Sequence, residues 1–155
     1  MVITTLYFVG ILCGTIAVML TGDPRTTTTA AAILLQYFLL ISVGFSSVIA
    51  FFGHVFRGET AARLLGWPSG NPFQKELGFW DLAAGFVAII GFWRHGDFWL
   101  ATIIFITIFW VLAGCLHLYH VLKGKNYHID NAFPAIMDFI VPITMMILYW
   151  LTTRH

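Results

Sequence analysis

From Phe98 to Leu122 the chain reads FWLATIIFITIFWVLAGCLHLYHVL, without one Asp, Glu, Lys or Arg. A helix that crosses the hydrocarbon core of a bilayer needs roughly 20 consecutive apolar residues, so this stretch alone is long enough to span. Four further blocks of the same character flank it. The spacing predicts helices over about 2–20, 29–54, 71–93, 98–122 and 131–151, which fill residues 1–155 as a single transmembrane helical domain. The composition agrees: 59% of the 155 residues are hydrophobic and 10% are charged, with a mean hydropathy of +0.87, whereas soluble chains carry about a quarter charged residues. The reading is therefore an all-α integral membrane bundle of five transmembrane helices, and its first partner is the lipid bilayer.

The connections carry the punctuation that such a bundle needs. The block from Val2 to Leu20 has no basic residue before it and no small-residue cleavage pattern after it, so it reads as a retained helix rather than a signal peptide. Gly10 and Gly14 form a GxxxG step for close helix approach. Gly22, Asp23 and Pro24 mark a turn, and Thr29 is placed to cap the second helix. Gln36, Gly44, Ser46 and Ser47 give that helix a small, mildly polar stripe; the two serines are expected to bond back to their own backbone. Glu59 to Trp67 is moderately amphipathic and is predicted to lie in the interface between helices two and three. Asn71, Pro72, Phe73 and Gln74 spell a helix start, with an Asn cap, an early proline and a glutamine three residues on. Asn131 is placed to cap the fifth helix, and Pro134 is tolerated in its first turn.

Net charge is +1 and no polybasic stretch exists, so a nucleic-acid partner is not expected. Cys13 and Cys115 read as small, buried, reduced residues. Five of the six tryptophans (Trp67, Trp80, Trp93, Trp99 and Trp150) fall near predicted helix ends, as an interfacial belt would require, and Trp110 lies deep. Phe105, Phe109 and Leu112 read as a packing stripe. If the N-terminus is cytoplasmic, that side carries Arg57, Arg63, Lys75, Lys123 and Lys125, and the other carries Arg25, Arg94 and Arg154; the bias favours a cytoplasmic N-terminus in an inner membrane.

The groups able to do chemistry gather on the five-charge side. His54 ends helix two, Glu76 and Asp81 lie in the first turns of helix three, His117 and His120 lie in the last turns of helix four, and Asp138 lies about two turns into helix five. At a rise of about 1.5 Å per residue, Glu76 and His117 fall ~7 Å inside their helix ends, Asp138 ~10 Å and Asp81 ~15 Å. His117 and His120, three apart, share a helix face, and Tyr119 points elsewhere. Pro142 cannot donate to the carbonyl of Asp138, so a kink and a free oxygen are expected there. Imidazole with carboxylate suits Zn, Fe, Mn or Cu; a b-type haem between His54 and His117 is the related possibility. The expected metal ligands are His54, Glu76, His117, His120 and Asp138, with Asp81, Gln74 and Tyr119 expected to support those ligands from behind or to carry protons. Two other classes compete. One is a non-catalytic membrane subunit or scaffold whose His and Asp cluster is a structural polar clamp, and the other is a proton or small-solute pathway. A chain of this size is expected to form a homo-oligomer or to join a membrane complex.

His54 and Phe56, then Gly66, Trp67 and Pro68, then Pro72, Phe73, Gln74, Glu76, Gly78 and Phe79, form the pattern HxF…GWPxxxPFQxExGF. Gly114, His117 and His120 follow as GxxHxxH, one residue shorter between its histidines than the GxxHxxxH spacing of the family. From about Gly53 onward the chain resembles a family of small uncharacterised prokaryotic membrane proteins defined as a domain of unknown function. The resemblance implies a small multi-spanning prokaryotic membrane protein, and carries over no activity.

Overall fold

A computed structural model describes residues 2–21, 26–69 and 71–154. Within these the chain forms helices α1 (Val2–Leu20), α2 (Thr27–Phe56), α3 (Gly58–Leu65), α4 (Phe73–Ile90), α5 (Asp97–Leu122) and α6 (Ile129–Thr152), and no strand. The turn expected at Gly22 to Pro24 and the basic Arg25 lie outside the described residues.

Four of these helices, α1, α2, α5 and α6, are long and apolar enough to cross a membrane. The expected third spanning helix, α4, is not among them: its 18 residues include the three charged side chains of Lys75, Glu76 and Asp81. The helices bury a core of Leu35, Phe38, Leu39 and Val43 from α2 against Ile103, Ile106 and Trp110 from α5 and Val141 and Met145 from α6. Their outer faces remain apolar, with Phe8, Leu12, Phe52, Phe86, Ile108, Leu112 and Ile147 all exposed. A surface of that kind is stable against hydrocarbon, not against water.

Small residues set the helix spacing. Ser42, inside a π-helical stretch of α2 (Phe38–Phe45), shares its hydroxyl between the carbonyls of Leu6 and Tyr7 at 3.1 and 3.2 Å. It sits directly under Gly10, where any Cβ would collide with it. At Gly85 of α4 a Cβ would come within 3.0 Å of the Gly44 carbonyl oxygen and 3.2 Å of the Ser47 Cβ. The small stripe of α2 is thus the seam along which α4 packs.

Two long-range hydrogen bonds fix the ends of that seam. Gln74 Nε2 donates to the Gly58 carbonyl (3.0 Å) at one end, and Gln36 Nε2 donates to the Phe92 carbonyl (2.6 Å) at the other. So α4 runs antiparallel to α2 along most of its length. At the far end of the bundle Thr28 Oγ1 donates to the Arg154 carbonyl (2.8 Å), bringing the start of α2 beside the end of α6.

Several local expectations are corrected. The second helix is capped by Thr26, whose hydroxyl accepts from the Thr29 N–H, and not by Thr29. Asn71 does accept from the Phe73 N–H at 3.0 Å, but Gln74 reaches Gly58 and does not close a capping box. The third long helix stops at Ile90, short of Trp93. Asn131 is no cap: α6 starts earlier, and Asn131 is wholly buried. Cys115 is exposed on the outer face, and Cys13 is half-buried; both are free thiols. Trp99 is not part of a belt, because it is buried and donates to the Gly91 carbonyl at 2.6 Å, closing the turn between α4 and α5. In the packing stripe Phe105 and Phe109 do stack on Trp80, whereas Leu112 faces outward.

Candidate functional site

The turn after α3 assembles one wall of the site. Gly66 closes α3 at φ 69° and ψ 30°, the left-handed conformation that favours glycine. A Cβ there would also press on His128 and on the Asn126 amide. With the chain turned at Gly66, Trp67 folds inward and lies nearly parallel to the His117 ring, centroids 5.0 Å apart, with His120 tilted against the same indole at 5.0 Å. His117 Nδ1 lies 2.9 Å from Asn131 Oδ1. Asn131 Nδ2 donates to the Asn126 carbonyl (3.0 Å), and Asn126 Nδ2 donates to the Leu65 carbonyl (2.6 Å). A chain of amides therefore ties α5, the α5–α6 connection and α3 together.

The opposite wall comes from α2 and α4. Gly78 admits α4 so closely that a Cβ would meet Val55 Cγ2 at 2.6 Å and His54 Cβ at 3.2 Å. That approach carries Asp81, three residues further on, to His54: Asp81 Oδ2 lies 3.8 Å from His54 Nε2, an ion-pair distance but too long for a hydrogen bond. Asp138 enters from α6, where Gly114 leaves room for it; a Cβ at Gly114 would stand 3.0 Å from the Asp138 Cβ. Asp138 is 6% exposed and has no hydrogen-bond or ion-pair partner among the described residues.

Between these walls lies a cavity of about 210 Å³, lined by Ser46, Ser47, Ala50 and His54 of α2, Gln74, Leu77 and Asp81 of α4, Phe109, Trp110, Ala113 and His117 of α5, and Pro134 and Asp138 of α6, with Ile3, Leu65 and Trp67 at its edges. Six buried side-chain polar atoms among the described residues lack any hydrogen-bond partner, and four of them belong to residues lining this cavity: Ser46 Oγ, His54 Nδ1, Trp67 Nε1 and Asp81 Oδ2. The expectation that Ser46 bonds back to its own helix is thus corrected.

The sequence-predicted residues divide accordingly. His54, Asp81, His117, Asp138 and Gln74 line one cavity. Glu76 is exposed and outside it, and Tyr119 is exposed and packs edge-on against His120. His120 touches Trp67 but does not line the cavity. No three His, Cys, Asp or Glu side chains among the described residues come together to hold a metal ion, so His54, Glu76, His117, His120 and Asp138 do not assemble as one ligand set. The physical reason is that His117 is turned away to Asn131 and sheathed by Trp67, and Glu76 projects outward from the first turn of α4. Asn126, Asn131, Ser46 and Trp67 are the members that sequence reasoning missed. Only Trp67 carried a signal, the GWP run.

A family model described as a family of unknown function, DUF6790, matches residues 1–155. No curated protein and no solved structure matches the chain.

Proposed function

We propose that this chain, which belongs to the DUF6790 family, is a multi-spanning membrane protein that binds a small polar molecule in the cavity between α2, α4, α5 and α6. One observation carries the reading: four orphaned polar atoms belong to residues that line one cavity. Each buried, unsatisfied polar group costs on the order of 1–3 kcal/mol, and in a membrane interior there is no bulk water to relieve it. A guest with both donors and acceptors meets them together: Trp67 Nε1–H can only donate, Asp81 Oδ2 accepts when ionised, and Ser46 can do either.

In this reading α4 is the fifth crossing. It is long enough at ~1.5 Å per residue to cover about 27 Å, with Gln74 in its first turn bonded to Gly58 just past the end of α2 and Phe92 just past its own end bonded to Gln36. Five crossings leave the chain termini on opposite sides. The five basic residues Arg57, Arg63, Lys75, Lys123 and Lys125 at the cavity end, against three at the other, support a cytoplasmic cavity end and N-terminus in a prokaryotic inner membrane.

A resident metal has narrower support. His54 and Asp81 offer two donors, where a bound Zn ion takes three or four protein ligands. A cavity of about 210 Å³ is also below the few hundred Å³ at which pockets for drug-sized ligands begin, which weighs against a b-type haem. As for the polar clamp, the group that ties helices together is His117 with Asn131 and Asn126, and the two aspartates stand apart from it.

The test uses three small probes of similar size and different charge, namely ethanolamine, ethylene glycol and glycolate, with saturation-transfer NMR on the protein in mild detergent. The reading expects at least one probe to bind, and binding to be lost in Ala113→Phe, which fills the cavity. If none binds, or if Ala113→Phe binds as the parent does, the cavity is not a ligand site.

A further inference from the structure

We infer that the guest of this cavity is a small organic ammonium ion, held between the carboxylates of Asp81 and Asp138 and faced by the aromatic rings of Trp67 and Trp110. The inference rests on the proposed reading of the cavity as a ligand site and adds the chemistry of the ligand.

Charge balance is the first ground. The cavity is lined by two carboxylates and by no Lys or Arg. Asp81 is 6% exposed, and its Oδ2 has no hydrogen-bond partner; Asp138 is equally buried and equally unpartnered among the described residues. An ionised carboxylate at such depth in a bilayer is costly, and the cost is relieved by taking up a proton or by a cation held against it. Within the chain Asp81 has only His54, at 3.8 Å, and Asp138 has nothing. A guest that supplies N–H donors and positive charge answers both.

The walls are the second ground. Trp67, Phe109 and Trp110 line the same space, and an ammonium group within ~6 Å of an aromatic face is attracted by the ring quadrupole, most strongly at Trp. Trp67 Nε1–H remains a donor in need of an acceptor, which a hydroxyl on the ligand provides. Size is the third: about 210 Å³ corresponds to roughly seven waters at ~30 Å³ each, enough for an amine of a few heavy atoms with part of its hydration. Such an amino alcohol exists as a free solute and as a phospholipid headgroup, and the cavity chemistry recognises both.

The decisive comparison is again ethanolamine against ethylene glycol and glycolate, by saturation-transfer NMR on the full chain in phosphatidylglycerol nanodiscs. Ethanolamine is expected to bind at least tenfold more tightly than ethylene glycol or glycolate, and Asp138→Asn is expected to lower its affinity tenfold or more. Should Asp138→Asn fail to fold, the wild-type charge series decides alone. Repeating the titration in phosphatidylethanolamine nanodiscs separates the sources: a lost response shows that the headgroup occupies the site, and an unchanged one that a free amine does. If ethylene glycol or glycolate binds as well as ethanolamine, the ammonium assignment is overturned and the cavity reading survives. If no probe binds, both fall.

Discussion

His117 and Asn131 meet at 2.9 Å, Nδ1 to Oδ1, across the junction of α5 and α6. Because Asn131 uses its Nδ2 to donate to the Asn126 carbonyl at 3.0 Å, its Oδ1 is the acceptor, and His117 must carry a proton on Nδ1. A neutral imidazole then has its lone pair on Nε2. A long-range ¹⁵N–¹H correlation spectrum of the protein should show the Nδ1–H tautomer for His117, and Asn131→Leu should abolish that preference. The same substitution leaves the half-buried Asn126 carbonyl without its partner and is expected to cost about 1 kcal/mol of stability in a thermal melt. An Nε2–H tautomer in the parent protein would contradict the arrangement.

Gly66→Ala is predicted to weaken the same end of the bundle by a different route. The residue sits at φ 69°, which costs an L side chain about 1–2 kcal/mol. Its new methyl would also stand 2.8 Å from His128 Cδ2 and 2.9 Å from Asn126 Nδ2. Asn126 is thereby pushed off the Leu65 carbonyl, and Trp67 loses the turn that holds it on His117. The check is the near-ultraviolet circular dichroism of the indoles, expected to fall together with the melting temperature. A variant with parental melting and spectrum would show that Gly66 does not position Trp67.

How far the sequence could be read follows from which interactions were local. Apolar runs long enough to span announced α1, α2, α5 and α6, since span length needs only neighbouring residues. The start of α4 was legible for the same reason, as Asn71 does bond the Phe73 N–H. His54, Asp81, His117 and Asp138 were correctly gathered at one end, because up-and-down helices make depth a matter of counting residues. What failed was azimuth. Whether Glu76 or Asp81 turned inward depended on Gly78 docking against Val55 and His54, a contact between helices separated by an intervening connection. Asn131 read as a cap because its partner, His117, lies 14 positions back across the connection 123–128, whose path depends on Asn126 reaching Leu65, 61 positions away. Ser46 misled in the opposite sense: a helical serine normally closes on its own backbone, yet its Oγ is buried without a hydrogen-bond partner.

Gly78 therefore offers a direct test of how the site is built. In Gly78→Val the added side chain has no room against Val55 Cγ2, already 2.6 Å from where a Cβ would stand, so α4 must retreat from α2. Overpacking of this kind costs about 1–3 kcal/mol. The expected outcome is a lower melting temperature together with loss of probe binding in the cavity, since His54 and Asp81 separate. Val55→Ala should partly restore both in the double variant, because it removes the methyl that is struck. A double variant no better than Gly78→Val would place the clash elsewhere.

The direction of α4 decides whether the cavity can be reached from one side of the membrane only. Gln74 bonds Gly58 beside the end of α2, and Phe92 bonds Gln36 about five turns earlier along the same helix. The exposed Lys75 and Arg94 therefore sit at opposite ends of α4. If α4 crosses the bilayer, Lys75→Cys and Arg94→Cys, each in a background with Cys13 and Cys115 replaced by Ala, will react with a membrane-impermeant maleimide from opposite sides. Reaction of Lys75→Cys in inverted vesicles and of Arg94→Cys in intact cells is expected, given the excess of basic residues at the cavity end. Labelling of both from the same side would leave four crossings and return α4 to the surface. Asp81 would then lie near the headgroups, where its burial against hydrocarbon no longer calls for a cationic guest.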